Sequence, residues 1–370
     1  MTRPARVVVD LEAARANLDR VRQAAPGRRV MAVIKADAYG HGLVPMAQAL
    51  ASAEAFGVAC LEEAVVLRDA GIRHSIVLLE GPFSSQELHE IRRLDLDTVI
   101  HAEEQVRMLD ALPDGRPLRL WIKLDTGMHR LGFPAEGSRA LLQHLALHRA
   151  VARPLRIMSH LASAHEPEHA SVAVQLGVFN AATQGIAGEC SVANSAALLA
   201  WPETQLDWVR PGLMLYGVSP FAGRTAGDLG LQPVMSLVSG LIAVRRVPAG
   251  ESVGYGGSWR CPEDMPVGVV AIGYGDGYPR HAASGTPVLV AGRRAALIGK
   301  ASMDMLTVDL RSCPEARVGE PVVLWGPGLP VEEVARCADT IPYELLCAVR
   351  GRVRFHDQVA GASVGVRKSA

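Results

Sequence analysis

The spacing of apolar residues follows two different patterns along this chain. Over roughly the first 230 residues, short runs rich in β-branched residues alternate with longer segments in which apolar residues recur every three or four positions. The short runs have the length and composition of buried strands, and the longer segments have the period of amphipathic helices. Eight runs are predicted to be strands: Val30–Lys35, Ala55–Ala59, Ser75–Glu80, Asp97–Ile100, Leu118–Leu124, Arg156–Leu161, Glu189–Asn194 and Trp208–Leu215.

Helices are predicted between these strands, at Leu43–Ser52, Leu61–Ala70, Ser84–Arg93, Ala102–Ala111, Gly137–His148 and Glu168–Ile186. Repeated strand–helix units over about 250 residues are typical of a TIM-like (β/α)8 barrel. An open, doubly wound sheet is the alternative, but it would need a glycine fingerprint opening the first helix. The sequence has no such fingerprint there. We therefore predict an N-terminal (β/α)8 barrel.

The spacing of apolar residues changes after about residue 231. The apolar runs become short and are separated by turns such as Pro248-Ala249-Gly250 and Gly326-Pro327-Gly328. This pattern predicts a smaller, mostly β domain with one helix near Val331–Ala338. We divide the chain into a barrel domain, residues 1–230, and a β-rich C-terminal domain, residues 231–370. The first strand, Val7–Asp10, is expected to pair with the C-terminal sheet.

Charge and cysteine usage narrow the class of protein. The 38 basic and 38 acidic residues balance, so no nucleic-acid or membrane-surface partner is indicated. We find no signal-peptide pattern and no apolar run of membrane-spanning length. The six cysteines form no C-x-x-C pair and suit free thiols in a reducing compartment. These features predict a cytoplasmic enzyme that acts on a small molecule.

Ionisable and polar residues gather where the predicted barrel strands end, which is where barrel enzymes build their active sites. Lys35 is the most informative of them, because an ammonium at the end of a buried strand is costly unless it is paired or neutralised. Burial lowers the pKa of a lysine and frees its amine as a nucleophile. Any one of these residues could also be a polar group that closes a strand. The set is Lys35, Glu80, Lys123, Asp125, His160, Asn194, Ser195 and Arg210.

The segment Val33–Gly42 around Lys35 resembles the pyridoxal 5'-phosphate (PLP) attachment segment of the alanine racemases. From about residue 7 to residue 355, further segments resemble that family in the same order. They are Lys123–Gly132, Ser159–Ala162, Ala193–Ala197, Arg210–Gly212, Leu215–Gly217, Val253–Gly256, Gly273–Tyr278, Ser302–Asp304 and Pro342–Glu344. The resemblance implies a PLP-dependent, two-base interconversion of L-alanine and D-alanine. Such an activity would supply D-alanine for peptidoglycan or catabolise it.

The resemblance also implies roles for individual residues. Lys35 would hold PLP and act as one base, and Tyr255 would be the second base on the opposite face of Cα. The residues implied in cofactor binding are Lys35, Tyr39, His160, Asn194, Ser195, Arg210, Gly212, Leu213 and Tyr343. Those implied at the substrate are Arg130, Met303 and Tyr274, with Lys123 and Asp304 in support.

Arg210 has the most specific implied role. Arginine cannot be deprotonated, so opposite the pyridine nitrogen it would act as a donor and keep that nitrogen unprotonated. Negative charge at Cα would then be stabilised less, which favours quick reprotonation over transamination. Family members often carry a carbamylated lysine at the position of Lys123, which would become an anion able to hold Arg130.

Three of the implied residues, Tyr255, Tyr274 and Met303, lie in the predicted β domain, whereas Lys35 lies on the barrel. In the family these β-domain residues reach the active site of the partner subunit. A head-to-tail homodimer with two shared sites is therefore implied.

Other functions stay open at this point. A racemase of serine or another larger amino acid is possible because pocket volume is not readable from sequence. A fold-related PLP decarboxylase would be expected to present a carboxylate to the ring nitrogen, where this chain offers Arg210. A PLP carrier without turnover would resemble the barrel alone. The chain departs from a common family form at Ser302, often cysteine, and at Leu213, often isoleucine.

A metal site is not predicted. The segment His165-Glu166-Pro167-Glu168-His169 matches the zinc-protease pattern H-E-x-x-H, which needs both histidines on one face of a helix. Proline is tolerated only in the first turn of a helix, so the helix is expected to start here and His165 to precede it.

Overall fold

The computed structural model describes residues 3–166, 168–349, 351–359 and 362–367. The strands, in chain order, are β1 (Arg6–Asp10), β2 (Arg29–Val33), β3 (Ala55–Val58), β4 (Ser75–Leu78), β5 (Asp97–Ile100), β6 (Arg119–Asp125), β7 (Phe133–Pro134), β8 (Leu155–Met158), β9 (Gly188–Asn194), β10 (Trp208–Arg210), β11 (Met235–Val247), β12 (Ser252–Val253), β13 (Trp259–Arg260), β14 (Met265–Val270), β15 (Pro287–Val290), β16 (Arg293–Leu297), β17 (Leu306–Asp309), β18 (Pro321–Trp325), β19 (Arg354–Val359) and β20 (Ala362–Arg367). The helices are α1 (Leu11–Ala24), α2 (Leu43–Ala49), α3 (Leu61–Asp69), α4 (Ser85–Arg93), α5 (Glu103–Asp110), α6 (Ser138–Leu147), α7 (Ser171–Thr183), α8 (Ser195–Ala200), α9 (Val331–Cys337) and α10 (Pro342–Ala348).

The first sheet is a closed barrel of parallel strands, as predicted. Its order is β5-β4-β3-β2-β10-β9-β8-β6, and β5 also pairs with β6, which closes the ring. Side chains alternate between the two faces of each strand. In β2, Met31 packs in a separate cluster with Trp121 and Trp208, whereas Val30 and Ala32 join the larger core. The barrel interior is therefore filled by side chains, and the helices cover its outside.

The second sheet is mostly antiparallel. Strands β11, β14, β17, β16, β15 and β18 pair in a ring, because β11 pairs with both β14 and β18. The N-terminal strand β1 extends this sheet, antiparallel to β11 and parallel to β19. The predicted pairing of the first strand with the C-terminal sheet is confirmed. The predicted helix near Val331–Ala338 is α9, and α10 was not predicted.

The last barrel strand is shorter than its sequence predicted. Strand β10 ends at Arg210, because Pro211 has no N–H to donate and the chain bends at Gly212. The apolar residues that follow, Leu213–Tyr216, form a 3-10 turn instead. The Tyr216 hydroxyl then donates to the Val33 carbonyl at 2.9 Å. The prediction of a strand to Leu215 is therefore wrong, because Pro211 and Gly212 end the strand at Arg210.

The helix predicted over Glu168–Ile186 begins only at Ser171 and ends at Thr183. His165 and His169 therefore both precede it, so they do not share a helical face; Pro167 lies outside the described residues. Over the part of the chain that the structure describes, no helix is long and apolar enough to cross a membrane.

An ion-pair network closes the amino-terminal end of the barrel. The fully buried carboxylate of Asp97 pairs with Arg119 and Arg156, and Glu189 pairs with Arg156 and Arg29. All five residues lie at or next to the first residues of their strands. Because this end of a barrel contributes stability, the opposite end is free to carry the chemistry.

Candidate active site

Lys35 begins a left-handed turn that was not predicted. It lies two residues beyond the end of β2, and each of residues 36–39 has a φ of 53–54°. For residues other than glycine, this conformation costs about 1–2 kcal/mol each. Surrounding contacts must hold it, and one comes from Asp37, whose Oδ1 accepts the Leu43 N–H at 2.7 Å. The sequence had indicated only a glycine-containing loop after Lys35.

The turn delivers Tyr39 to a cluster of aromatic rings and hydroxyl groups. The Tyr39 ring stacks on Tyr216 with centroids 4.6 Å apart and lies 5.7 Å from Tyr343. A Cβ at Gly212 would lie 2.6 Å from the Tyr39 hydroxyl, so only glycine fits there. The backbone of Gly212 and the hydroxyl group of Tyr39 thus lie close together. A small anion-binding site needs N–H and O–H groups as close as these.

Ser195 and Asn194 stand at the end of β9, facing the same site. The Ser195 Oγ accepts the N–H groups of Gly212 at 2.9 Å and Met214 at 3.4 Å. Because these bonds use only its lone pairs, the hydroxyl proton of Ser195 can still donate to an anion. The Asn194 Oδ1 accepts the Ala197 N–H at 3.0 Å and caps α8. Asn194 therefore caps a helix. The sequence analysis placed Asn194 near the cofactor and did not predict this cap.

Arg210 is a buried cation at the end of β10, with 6% of its surface exposed. Its Nη1 donates to the Ser191 Oγ at 2.6 Å, and its Nη2 donates to the Ser159 carbonyl. Among the described residues no carboxylate forms an ion pair with it. Burial lowers the pKa of Arg210 to about 10, so it stays charged at neutral pH. A buried guanidinium held only by neutral oxygens favours a polar or anionic ligand nearby.

Further cations surround His160, which follows β8. Burial, and then the charges of Arg210, Lys123, Arg130 and Lys35, lower the pKa of His160 to about 3. Its imidazole is therefore neutral near pH 7. Burial, followed by the charges of Arg210, Arg130 and Lys35, lowers the pKa of Lys123 to about 8. These residues lie on four different strand ends or loops, and the fold brings them within electrostatic reach of one another.

Asp125 does not neutralise this cluster. It is the carboxylate that raises the pKa of Lys123, but its Oδ1 accepts the N–H groups of Gly127, Met128 and His129 at 2.9–3.1 Å. Its Oδ2 lies 3.0 Å from Nδ1 of His129. Since Asp125 is used to shape its own loop, the cations beside Lys35 lack a matching anion among the residues that the structure describes. The site therefore fits a ligand that carries phosphate and carboxylate groups.

Three residues predicted at the site lie outside the barrel, in the β-rich part of the chain where the sequence analysis placed them. Tyr255 lies in the turn between β12 and β13, which form a separate two-stranded sheet, and Tyr274 and Met303 lie on loops of the second sheet. Tyr255, Tyr274 and Met303 have 68%, 39% and 54% of their surfaces exposed. The Tyr274 N–H donates to the Ser302 carbonyl at 3.0 Å, which joins the two loops. No hydrogen bond or ion pair connects these three residues to the barrel cluster within the described parts of this single chain. Such large exposed apolar side chains are typical of a surface that another molecule covers.

Asp276 fixes the two loops that carry Tyr274 and Met303. Its carboxylate is fully buried and accepts from Arg3 at 2.5 and 2.8 Å, from Arg352 at 2.9 Å and from the Gly273 N–H at 2.9 Å. Arg352 also pairs with Asp304. Sequence reasoning gave Asp304 a supporting role but missed Asp276, although the aspartate between two glycines was visible.

The family comparison agrees with this arrangement. The family model "Alanine racemase, N-terminal domain" matches residues 9–220, and "Alanine racemase, C-terminal domain" matches residues 234–356. The chain belongs to the alanine racemase family.

Individual relatives are similar over nearly their whole length. An alanine racemase of Nitrosococcus oceani is 53% identical over 349 residues, which cover 94% of this chain and 97% of that protein. A biosynthetic alanine racemase of Salmonella typhimurium is 50% identical over 350 residues, 94% of this chain and 98% of its own. The crystal structure of the biosynthetic alanine racemase from Pseudomonas aeruginosa has a TM-score of 0.94 and 48% identity, covering 97% of this chain and 100% of that one.

One group in the described part of the chain has the composition of a metal site: Asp110, His144 and His148. The Ala150 N–H donates to Nδ1 of His148 at 3.1 Å, so the proton of the neutral ring is on Nε2. That Nε2 donates to Asp110 at 3.1 Å. In this structure the nitrogen nearest to the carboxylate is therefore used as a hydrogen-bond donor.

Proposed function

We propose that this protein racemises alanine with PLP held on the amine of Lys35. The observation that carries the proposal is the group of cations beside Lys35 that no carboxylate among the described residues balances. A phosphate and an amino-acid carboxylate would balance it. Membership of the alanine racemase family supports the same assignment.

The residues around Lys35 fit PLP. The hydroxyl groups of Tyr39, Ser195 and Tyr343, with the backbone at Gly212 and Leu213, would bind the phosphate. The close approach of Gly212 to Tyr39 and the free hydroxyl proton of Ser195 support this assignment. When bound, PLP supplies an electron-withdrawing ring that stabilises negative charge at the substrate Cα.

Two side chains would move the α-proton. Lys35 removes or returns it on one face, and Tyr255 does so on the other. A phenol titrates near pH 10 and needs neighbouring donors or cations to act at neutral pH. Neutral His160 and charged Arg210 are the candidates to provide them.

Arg210 would donate to the pyridine nitrogen. Since a guanidinium does not give up its proton near neutral pH, it would leave that nitrogen without one. Negative charge at Cα would then be brief, and the proton would return before other reactions begin. The three neutral oxygens that accept from Arg210, those of Ser191 Oγ and of the Ser159 and Val192 carbonyls, support this role, because they orient its planar group without neutralising it.

Arg130 and the backbone of Met303 would bind the substrate carboxylate, and Tyr274 would narrow the pocket to favour a methyl side chain. Asp304 would orient the loop of Met303. A lysine amine with a pKa of about 8 is partly neutral at physiological pH and can react with carbon dioxide, so we assign a carbamate to Lys123. That anion would hold Arg130 and would leave the charges of Lys35 and Arg210 for the cofactor and the substrate. An experimental density map showing a bare amine there would reject that assignment.

Each active site would be shared by two copies of the chain in a head-to-tail homodimer. The exposure of Tyr255, Tyr274 and Met303 in the β-rich part of the chain supports this arrangement. We also propose that each copy consists of a barrel domain to residue 230 and a β-rich domain from residue 231. The six cysteines form no disulfide in the structure, which supports a cytoplasmic location, where D-alanine would be supplied or consumed.

The test is a racemisation assay of the purified PLP-bound protein on L-alanine and D-alanine, with L-serine and L-lysine beside them. We expect the alanine enantiomers to interconvert fastest and Lys35→Ala to abolish both turnover and the visible absorbance of bound PLP. Turnover of lysine or serine without alanine would contradict the substrate assignment.

A further inference from the structure

Glu63, on α3, joins the ends of two neighbouring barrel strands. Its Oε1 accepts the N–H of Ala36 at 2.6 Å, and its Oε2 accepts the N–H of Ala59 at 2.8 Å. Ala36 follows Lys35 directly, and Ala59 follows β3. The last ladder bond between these strands, from the Ile34 N–H to the Gly57 carbonyl at 2.9 Å, lies just before both contacts.

One of the two bonds has an ordinary explanation. The Ala59 N–H lies just before the start of α3, and Glu63 lies in the first turn of that helix. An acidic residue at such a position commonly accepts a free N–H group at the helix entrance. Helix capping alone would require only this bond, and it does not account for the second oxygen.

The bond to Ala36 lies at the first residue of the left-handed turn. Four consecutive residues other than glycine hold positive φ there, so the turn needs contacts that fix it from outside. Asp37 fixes the end of the turn through the Leu43 N–H, and Gly40 packs against the backbone of α10. Glu63 fixes its beginning, one peptide bond away from Lys35.

We propose that Glu63 is a positioning residue for Lys35, which sets the direction of the lysine by holding the Ala36 N–H. This inference rests on the proposed function of Lys35 as a base. A carboxylate suits the position because it offers two acceptor oxygens to two N–H groups. An amide offers one oxygen and one NH2 group, which would face an N–H as a second donor. Misplacing an amine by a fraction of an ångström slows proton transfer more than it weakens binding.

The experiment compares Glu63→Gln with Glu62→Gln in the PLP-bound protein. Glu62 is the matched control, because it is exposed on the same helix. Hydrogen bonds from the Cys60 thiol and from its own backbone N–H lower the pKa of Glu62. Three quantities are measured for each variant. They are the hydrogen–deuterium exchange of peptides covering residues 34–43 and 55–63, kcat for racemisation, and the primary isotope effect for alanine deuterated at Cα, for each enantiomer.

For Glu63→Gln we expect faster exchange in the peptide that contains Ala36, and kcat reduced by about ten-fold, which corresponds to one lost hydrogen bond. The isotope effect should rise for the enantiomer whose α-hydrogen Lys35 removes, because that step becomes slower. It should not rise for the enantiomer on which Tyr255 acts. Glu62→Gln should match the wild-type protein in all three.

An unchanged isotope effect for both enantiomers, together with faster exchange, would overturn the inference and leave Glu63 as a helix cap. Should Glu63→Gln fail to fold, Glu63→Ala is measured in the same way, because it removes the carboxylate without placing a donor against an N–H. A wild-type protein that does not racemise alanine would instead defeat the proposed function, so the two failures are distinguishable.

Discussion

At the scale of single residues, the proposed chemistry depends on a group of cations that no carboxylate in the described parts of the chain balances. Lys35, Lys123, Arg130 and Arg210 all act on the pKa of His160, and Asp125 is occupied by its own loop. Their residue types and strand-end positions were readable from the sequence. Their mutual effects were not, because they depend on burial and distance. The use of Asn194 as a helix cap was likewise invisible.

The variant Tyr255→Phe should distinguish the roles of the two proposed bases, Lys35 and Tyr255. We expect racemisation to be lost while Lys35 still exchanges the α-hydrogen of one enantiomer with solvent, without inversion. Proton NMR of each enantiomer in D2O with the PLP-bound variant measures this exchange. Equal loss of exchange for both enantiomers and of PLP binding would mean that Tyr255 is structural.

His160 should make the cofactor-free protein sensitive to acid. As the pH falls below about 6.5, the unfolded chain binds a proton at this residue, whereas the folded protein resists it until about pH 3. Stability is therefore lost as the pH falls through this window, by up to about 1.4 kcal/mol per pH unit. Urea unfolding between pH 6.5 and 4.5 should show a shallower loss for His160→Gln.

The control for that measurement is His89→Gln, a change at an exposed residue of α4. It should leave the pH dependence of unfolding as it is in the wild-type protein. A slope that His160→Gln does not alter would mean that the folded protein protonates His160 easily.

At the scale of elements, periodicity predicted each barrel strand within a few residues, except for the end of β10. Local patterns succeeded because strand burial repeats every two residues and helix burial every three or four. They failed at the turn over residues 36–39, whose left-handed backbone is held by distant contacts such as Glu63. They also failed for α10, a seven-residue helix too short to show a period.

Asp276→Asn should lower both the stability of the fold and the affinity for the substrate. The change removes charge-assisted bonds to Arg3 and Arg352, so we expect the free energy of unfolding to fall by about 2 kcal/mol. Because the loops of Tyr274 and Met303 lose their shared anchor, KM for alanine should rise about ten-fold. Urea unfolding and steady-state kinetics measure the two effects.

Glu333→Gln serves as the comparison, since it breaks an ion pair with Arg294 whose side chain is 54% exposed. Its cost should stay below about 1 kcal/mol, with KM unchanged. If Asp276→Asn behaves like Glu333→Gln, the network around Asp276 does not anchor the two loops.

At the scale of the whole molecule, the residues of one proposed site lie in two parts of the chain, the barrel and the β-rich part that follows it. The barrel carries Lys35, and the turn between β12 and β13 carries Tyr255; the chain runs from β1, in the second sheet, into the barrel. The order of these parts could be predicted from the sequence, and the family match agrees with it. The arrangement of two copies depends on exposed surfaces, which residue patterns along one chain do not describe.

Subunit mixing tests the shared site. Lys35→Ala and Tyr255→Phe chains, each inactive alone, are co-expressed with different tags, and the mixed dimer is isolated. One of its two sites would combine an intact Lys35 with an intact Tyr255, so about half of the wild-type activity should return. A mixed dimer as inactive as its parents would place both residues of a site on one chain.

The most direct test of the central claim follows L-alanine in D2O with the PLP-bound protein, by chiral chromatography and proton NMR. The account predicts equal amounts of the two enantiomers at the end, with deuterium at Cα of the D-alanine formed, and neither change with Lys35→Ala. L-alanine that keeps its configuration and its α-proton in the presence of PLP-bound protein would contradict it.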